Sequence, residues 1–337
     1  MIRQKGHTVV FETQPVIVSS AAVGGRKEAN GPLAKYFDYL NPQTTFRQKS
    51  WEKAESRMQE LALSIARRKA ILPGDKIDAL FSGDLLNQCI GSSFASRGTN
   101  LPHIGLYGAC STMAESLMLA SAAVNAGYCQ AAAAMTSSHF ASAERQYRFP
   151  LVYGGQRTPT AQWTVTAAGC CIVSSIGIGP VVQAATVGKI VDWGIKDANN
   201  MGAAMAPAAY DTLRQHFDDL GLGPEHYDLI VTGDLGLLGK EILLDLFRQD
   251  GVSIGGVYDD CGTMIYDIQK QDVHAGGSGC GCGASVLCGY LMHRFEQKKI
   301  KRLLFCATGA LLSPTSSFQG ESIPAVCHAV SIEAERR

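Results

Sequence analysis

The run Tyr107-Gly-Ala-Cys-Ser-Thr-Met-Ala-Glu-Ser116 places Cys110 in a small-residue turn. A strand-like segment, His103 to Tyr107, precedes it, and an Ala- and Met-rich helix follows. The thiol therefore stands at a helix N-terminus, where unpaired backbone N–H groups and the positive end of the dipole meet. A cysteine so placed is expected to have a depressed pKa, which equips it as a candidate nucleophile, though lining a pocket is the favoured role. The same geometry can instead cradle an anion without any chemistry. Two further clusters could do chemistry. Asp84 and Asp234 each close a short strand, and His139 ends another beside Thr136, Ser137 and Ser138. Gly276 to Ser285, GGSGCGCGAS, carries Cys280 and Cys282. One C-x-C pair without a second pair is weak evidence for zinc. The glycine run lacks both the Gly-Lys-Ser/Thr ending and the GxGxxG spacing of nucleotide sites.

The elements that must position these residues repeat. Residues 51–70 put Met58, Leu61, Ala62, Ile65 and Ala66 on one helical face, and Leu72-Pro73-Gly74 is expected to end that helix. Ile77 to Ser82 reads as a buried strand closed by Gly83-Asp84. LPGDKIDALFSGDL at 72–85 returns as LGPEHYDLIVTGDL at 222–235, matching Leu72/Leu222, Asp78/Asp228, Gly83/Gly233, Asp84/Asp234 and Leu85/Leu235. The second copy also follows an amphipathic helix, Ala208 to Leu220. Strands at Gln130 to His139 and Arg302 to Gly309 extend the parallel. Alternating strands and helices argue for an α/β layered fold. Two similar halves, 1–180 and 181–337, with a boundary near Gly179-Pro180, suggest a pseudo-twofold molecule whose loops meet at a shared site.

The chain has 337 residues, 46% hydrophobic and 18% charged, with zero formal net charge, so a large core is expected. Neutral charge leaves no footprint for nucleic acid and no polybasic tract for a membrane. Eleven scattered cysteines suggest free thiols in a reducing compartment. Residues 1–14 carry Arg3, Lys5 and Glu12 and do not read as a signal peptide. The longest uncharged stretch, Ala167 to Gly188, contains Pro180 and several glycines and reads as two strands and a turn rather than a transmembrane helix.

Two such halves, with a Cys at the turn after the third strand, resemble the thiolase superfamily, which includes thiolases and ketoacyl synthases. TVTAAGCCIV at 164–173 is similar to the family's small-residue hairpin, YDLIVTGDLG at 227–236 to the strand that delivers its first catalytic His, and GCGCGASV at 279–286 to its second glycine-rich turn. The resemblance implies a duplicated, thiolase-like α/β fold of βαβ halves, layered as an αβαβα sandwich. Cys110 falls on the nucleophile position. Gly233 stands where Cys-His-Asn ketoacyl synthases carry His, and Cys280 where they carry Asn and thiolases carry His. GDLLNQ at 83–88, including Asn87, GACST at 108–112, TSSH at 136–139, AERQ at 143–146, AAMAPAA at 203–209, Asp260-Cys-Gly262, AGGSGC at 275–280 and ATGALLSP at 307–314 resemble more closely the stage V sporulation protein AD family of spore-forming bacteria.

That resemblance implies a non-enzymatic protein that binds dipicolinic acid (pyridine-2,6-dicarboxylate), alone or as its calcium chelate, with no other cofactor. It further implies action with membrane subunits of a sporulation transport complex, a homodimer, and a place in the spore or forespore, peripheral to the inner membrane through protein partners. The rival readings are an active acyl-CoA condensing enzyme using Cys110 and a purely structural subunit. Under the binding reading, Cys110 and Gly279 to Gly283 form an anion-binding floor, with Asn87 and Cys280 beside it. His139 is either a donor to a ligand carboxylate or a hydrogen-bonded structural histidine. Asp84 and Asp234 are either helix caps or, with a calcium chelate, metal ligands, and capping is favoured for Asp234. His274 is a weaker candidate. Arg145, Arg148 and Arg157 read as a solvated excursion; an Arg157 that reached the pocket would pair bidentately with a carboxylate.

Overall fold

The structure, a computed structural model, describes residues 2–72, 76–147 and 157–335. The first half runs β1 (Ile2–Lys5), β2 (Thr8–Phe11), β3 (Val16–Gly24), β4 (Tyr39–Leu40), α1 (Trp51–Lys69), β5 (Ala79–Gly83), α2 (Ile90–Ser96), β6 (His103–Leu106), α3 (Thr112–Asn125), β7 (Ala131–Ser138), α4 (Phe140–Tyr147), β8 (Trp163–Thr164) and β9 (Ala167–Ser174). The second runs β10 (Val181–Thr186), α5 (Met201–Leu220), β11 (Leu229–Thr232), α6 (Gly236–Gln249), β12 (Tyr258–Asp260), α7 (Cys261–Met264), β13 (Gly277–Ser278), α8 (Cys280–Ser285), α9 (Met292–Glu296), β14 (Arg302–Ala310), α10 (Pro314–Phe318) and β15 (Ala325–Glu333). Ala167 to Gly188 does form two strands and a turn.

The halves share one topology. Strand order is β3-β9-β7-β5-β6 in the first and β10-β15-β14-β11-β12 in the second. The two repeat aspartates do the same work: Asp78 accepts the backbone N–H groups of Gln130 and Ala131, and Asp228 those of Lys301 and Arg302. Each carboxylate thereby fixes the start of the central strand beside its own. The halves are also more continuous than two separate sheets. β3 and β10, the adjoining end strands of the two five-strand orders, pair antiparallel at Val16–Val181, and one hydrogen-bonded path results.

α3 packs between the halves, touching β5, β7 and β9 on one side and β14 and β15 on the other. A helix with small and apolar residues all round suits a layer with no solvent face. Its hydroxyls are satisfied internally, Ser121 Oγ on Leu117 O and Ser116 Oγ on Met113 O. α8 shares that layer because glycines let backbones approach. A Cβ on Gly281 would lie 2.4 Å from Ala167 O, and one on Gly169 2.5 Å from Ala284 O. α1 covers the outer face of β3, β7 and β9, and α5 that of β14 and β15.

Two helix boundaries differ from expectation. α1 ends at Lys69, with Ala70 bonding back to Ala66 O; Pro73-Gly74 lies outside the described residues. α5 begins at Met201 rather than Ala208, because the Asn200 side chain caps it by accepting from Ala203 N, and Pro207 is carried inside the helix. This upstream extension brings Met201 to the site described below.

The turn bearing Cys110 is wedged against β14. A Cβ on Gly309 would lie 2.0 Å from Gly108 O. Gly309→Ala is therefore expected to lower stability by about 1–3 kcal/mol, as overpacking does. Urea unfolding should show an earlier midpoint; an unchanged midpoint would mean that this contact does not hold the turn.

Candidate functional site

Cys110 lines a narrow cavity of about 60 Å³ at the junction of the halves. Leu85, Ala109, Ala143, Tyr147, Ala198, Met201, Ala310 and Leu312 form its apolar walls, and Glu144, Thr164, Ser278 and Gly279 add polar groups. At roughly 10–15 Å³ per water on this measure, it has room for a few waters. The chain reaches it through strained backbone: Ala109 has φ +50° and turns Cys110 inward. Gly279 has φ +94°, and a Cβ there would lie 2.6 Å from Ser138 Oγ, so only glycine fits. Tyr147 Oη donates to Leu85 O at 2.6 Å and meets Tyr107 Oη at 2.5 Å, bracing one wall.

Behind the cavity lies a buried acidic centre. Asp234 is 0% exposed. Its Oδ2 accepts from Gly279 N at 2.9 Å and its Oδ1 from Thr308 Oγ1 at 3.0 Å, with the Cys110 thiol close by. Burial raises Asp234 to about 7, against the opposing influence of Cys110 and the hydrogen bonds from Gly279 and Thr308. Burial also pushes the Cys110 thiol well up, and the Asp234 and Cys280 side chains push it further. The expected depressed pKa is therefore overturned: desolvation and a neighbouring carboxylate outweigh the helix dipole.

Several expected site residues sit elsewhere. Asp234 does not cap the helix that follows it; Asp260 does, accepting from Leu235 N and Gly236 N. Asp84 does cap, taking Leu86 N on Oδ1 and Ser92 N and Oγ on Oδ2. His139 is structural. Its Nε2 donates to Thr44 O at 2.7 Å and its Nδ1 accepts from Ala141 N, so both ring nitrogens are used inside the fold. Arg157 does not line the cavity. It pairs with Asp272 at 2.7 Å and stacks on Trp163, the neighbour of cavity-lining Thr164. His274 joins the same group, 3.2 Å from Asp272. Asn87 is exposed and exchanges hydrogen bonds with Gln146. Arg148 lies outside the described residues.

Cys280 is fully buried beside Cys110, its thiol donating to Ser137 O at 2.9 Å. Cys282 is buried as well, and among the described residues no three His, Cys, Asp or Glu side chains converge as metal ligands. Gly233 lies against Ala307 and Gly283, where a Cβ would meet Ala307 Cα at 3.2 Å. Among the described lining residues there is no His, Lys or Arg. Sequence reasoning missed Tyr147, Ala198 and Met201 as wall residues, while Glu144, Thr164, Ser278 and Leu312 fell inside runs singled out above without being assigned a place.

The family model described as stage V sporulation protein AD matches residues 5–333. Stage V sporulation protein AD of Bacillus subtilis (strain 168) is 45% identical over 327 residues, covering 97% of this chain and 96% of that protein. Among solved structures, 3-oxoacyl-(acyl-carrier-protein) synthase III from Aquifex aeolicus VF5 superposes with a TM-score of 0.58 at 13% identity, covering 95% of this chain and 99% of that one. Acat5 thiolase from Ascaris suum, solved with coenzyme A, gives a TM-score of 0.56 at 11% identity, with 96% and 100% covered. The fold is thiolase-like; identities this low speak to the fold alone.

A thiol held protonated by burial and a carboxylate should alkylate slowly. At pH 8, iodoacetamide is expected to modify Cys110 at least about tenfold more slowly than a free cysteine peptide, followed by peptide mass spectrometry. A rate equal to or above that of the peptide would identify an activated nucleophile.

Proposed function

The chain belongs to the stage V sporulation protein AD family, and on that premise we propose that it binds dipicolinic acid, free or as the calcium chelate, without transforming it. The binding serves uptake of the compound into the forespore and its release in germination. The observation that carries the non-enzymatic part is the state of Cys110. Acyl transfer needs a base to activate the thiol and donors to hold an oxyanion. Here the resemblance sets Gly233 and Cys280 at the partner positions, burial beside Asp234 keeps the thiol protonated, and none of the described lining residues is a His, Lys or Arg.

The cavity suits a flat ring. Leu85, Ala109, Ala310 and Leu312 offer apolar faces, and Thr164 and Ser278 add polar groups at the wall. Entry of a whole pyridine ring requires the Met201 and Leu312 side chains at the cavity wall to give way, which a flexible methionine does readily. A calcium chelate lessens the clash between a dicarboxylate and Glu144, since the ring nitrogen and carboxylates bring the cation with them.

No helix among the described residues is long and apolar enough to cross a membrane. The reading therefore includes membrane subunits of the same sporulation transport complex as docking partners, and a place on the spore inner membrane reached through them. A homodimer is supported by β6, which among the described residues is an edge strand pairing only with β5 and leaves Ile104 42% exposed.

Calorimetric titration with dipicolinate, with and without calcium, tests the reading. Saturable binding to the wild-type protein is expected, with loss of at least about tenfold in affinity for Cys110→Arg, which fills the cavity, and for Leu312→Arg at its wall, a change of about 1.4 kcal/mol. No binding in either buffer contradicts it. Covalent acylation of Cys110 by an acyl-CoA would assign the site to a condensing enzyme instead.

A further inference from the structure

The cavity that the dipicolinate reading assigns to a dianion is built around negative charge. Asp234 is separated from it by a single residue, because its hydrogen-bond donor Gly279 is itself a lining residue, as is Cys110, whose thiol feels the Asp234 charge. Glu144 stands in the wall, its Oε1 accepting from Thr164 Oγ1 at 3.2 Å. The titratable groups that face Asp234 offer no compensation. They are the thiols of Cys110 on the turn before α3, Cys280 and Cys282 on α8, Cys261 on α7 and Cys327 on β15, together with the Asp260 carboxyl at the end of β12. Asp260 is occupied with Leu235 N, Gly236 N and Thr232 Oγ1. Lys240, which acts on Asp260, is paired with Asp259.

A dianion beside an ionised, fully buried carboxylate is a strongly disfavoured arrangement in a medium of low dielectric. The cavity must therefore shed a charge as it fills. We propose that Asp234 is the specificity-determining residue of this pocket, making it take a carboxylate ligand together with one proton, which Asp234 holds while the ligand is bound and returns to solvent when it leaves. The geometry can receive that proton. The Thr308 hydroxyl, 3.0 Å away, can turn from donor to acceptor, while Gly279 N–H keeps its bond to the other oxygen. The energetic step is small, because burial already lifts Asp234 to about 7, so near neutral pH the empty pocket holds its proton part of the time. Below that range the proton is present before the ligand arrives. Above it, each unit of pH weakens binding by up to about tenfold.

The inference rests on the dipicolinate reading, and one experiment separates the two. Titrations of the full chain with pyridine-2,6-dicarboxylate are run from pH 5.5 to 8.5 in pairs of buffers with different ionisation heats. The wild-type protein is expected to take up close to one proton per ligand at pH 8 and close to none at pH 5.5, with affinity falling accordingly. Asp234→Asn is expected to bind with flat affinity between pH 6.5 and 8.5 and no uptake, whereas Glu144→Gln keeps the pH dependence. Binding that is independent of pH in the wild-type protein, or uptake that survives in Asp234→Asn, overturns the inference and leaves the ligand reading standing. Absence of binding at every pH overturns both. Should Asp234→Asn fold poorly, difference titration of the free wild-type protein against Asp234→Glu gives the second reading: an Asp234 that titrates near the ordinary carboxylate value overturns the proposal.

Discussion

A buried carboxylate with two hydrogen-bond donors holds this site together. Asp234 leaves the end of β11 and gathers the glycine-rich turn before α8 and the hydroxyl of Thr308 on β14, with the thiol of Cys110 before α3 close by. The Cys110 turn comes from the first half of the chain and the other two groups from the second. An unpaired carboxylate at this depth would be strongly destabilising, so each donor is held where the charge needs it. The same burial decides the chemistry. A thiol held protonated by burial and a neighbouring negative charge is a poor nucleophile, whatever the helix behind it offers.

Close packing of small residues makes that convergence possible. Gly281 and Gly169 bring α8 onto β9, and Gly309 lets β14 press on the turn before Cys110. The layer shared by α3 and α8 thus keeps the geometry of a thiolase-like core, including the inward turn at Ala109. At the two positions where the resemblance sets the polar partners of a condensing enzyme, Gly233 and Cys280 are consumed in packing or local hydrogen bonding. What remains is a slot with apolar walls and an acidic back wall.

Much of the fold was legible because its signals are local. The apolar face of α1, the strand–turn–helix around Cys110 and the repeated aspartates Asp78 and Asp228 all emerged where residue pattern placed them. The site was legible only in part. His139 and Arg157 look like ligand donors by residue type, yet their partners, Thr44 O and Asp272, lie about a hundred residues away and carry no local signal. The thiol of Cys110 was misjudged for the same reason. A helix N-terminus can be read from sequence, whereas the depth of burial and the approach of Asp234 depend on long-range packing. Met201 and Tyr147 became visible only once the start of α5 and the direction of α4 were known.

The central claim is that the Cys110 slot holds a dicarboxylate and does no chemistry on it. The most direct measurement is a crystal structure of the protein grown with dipicolinate and calcium and, in parallel, with an acyl-CoA. The account predicts electron density for a flat pyridine ring between Leu85 and Leu312, with a carboxylate toward the start of α3, and an unmodified Cys110 Sγ in both crystals. An acyl group bonded to Cys110, or a ring bound elsewhere with the slot empty, would contradict it.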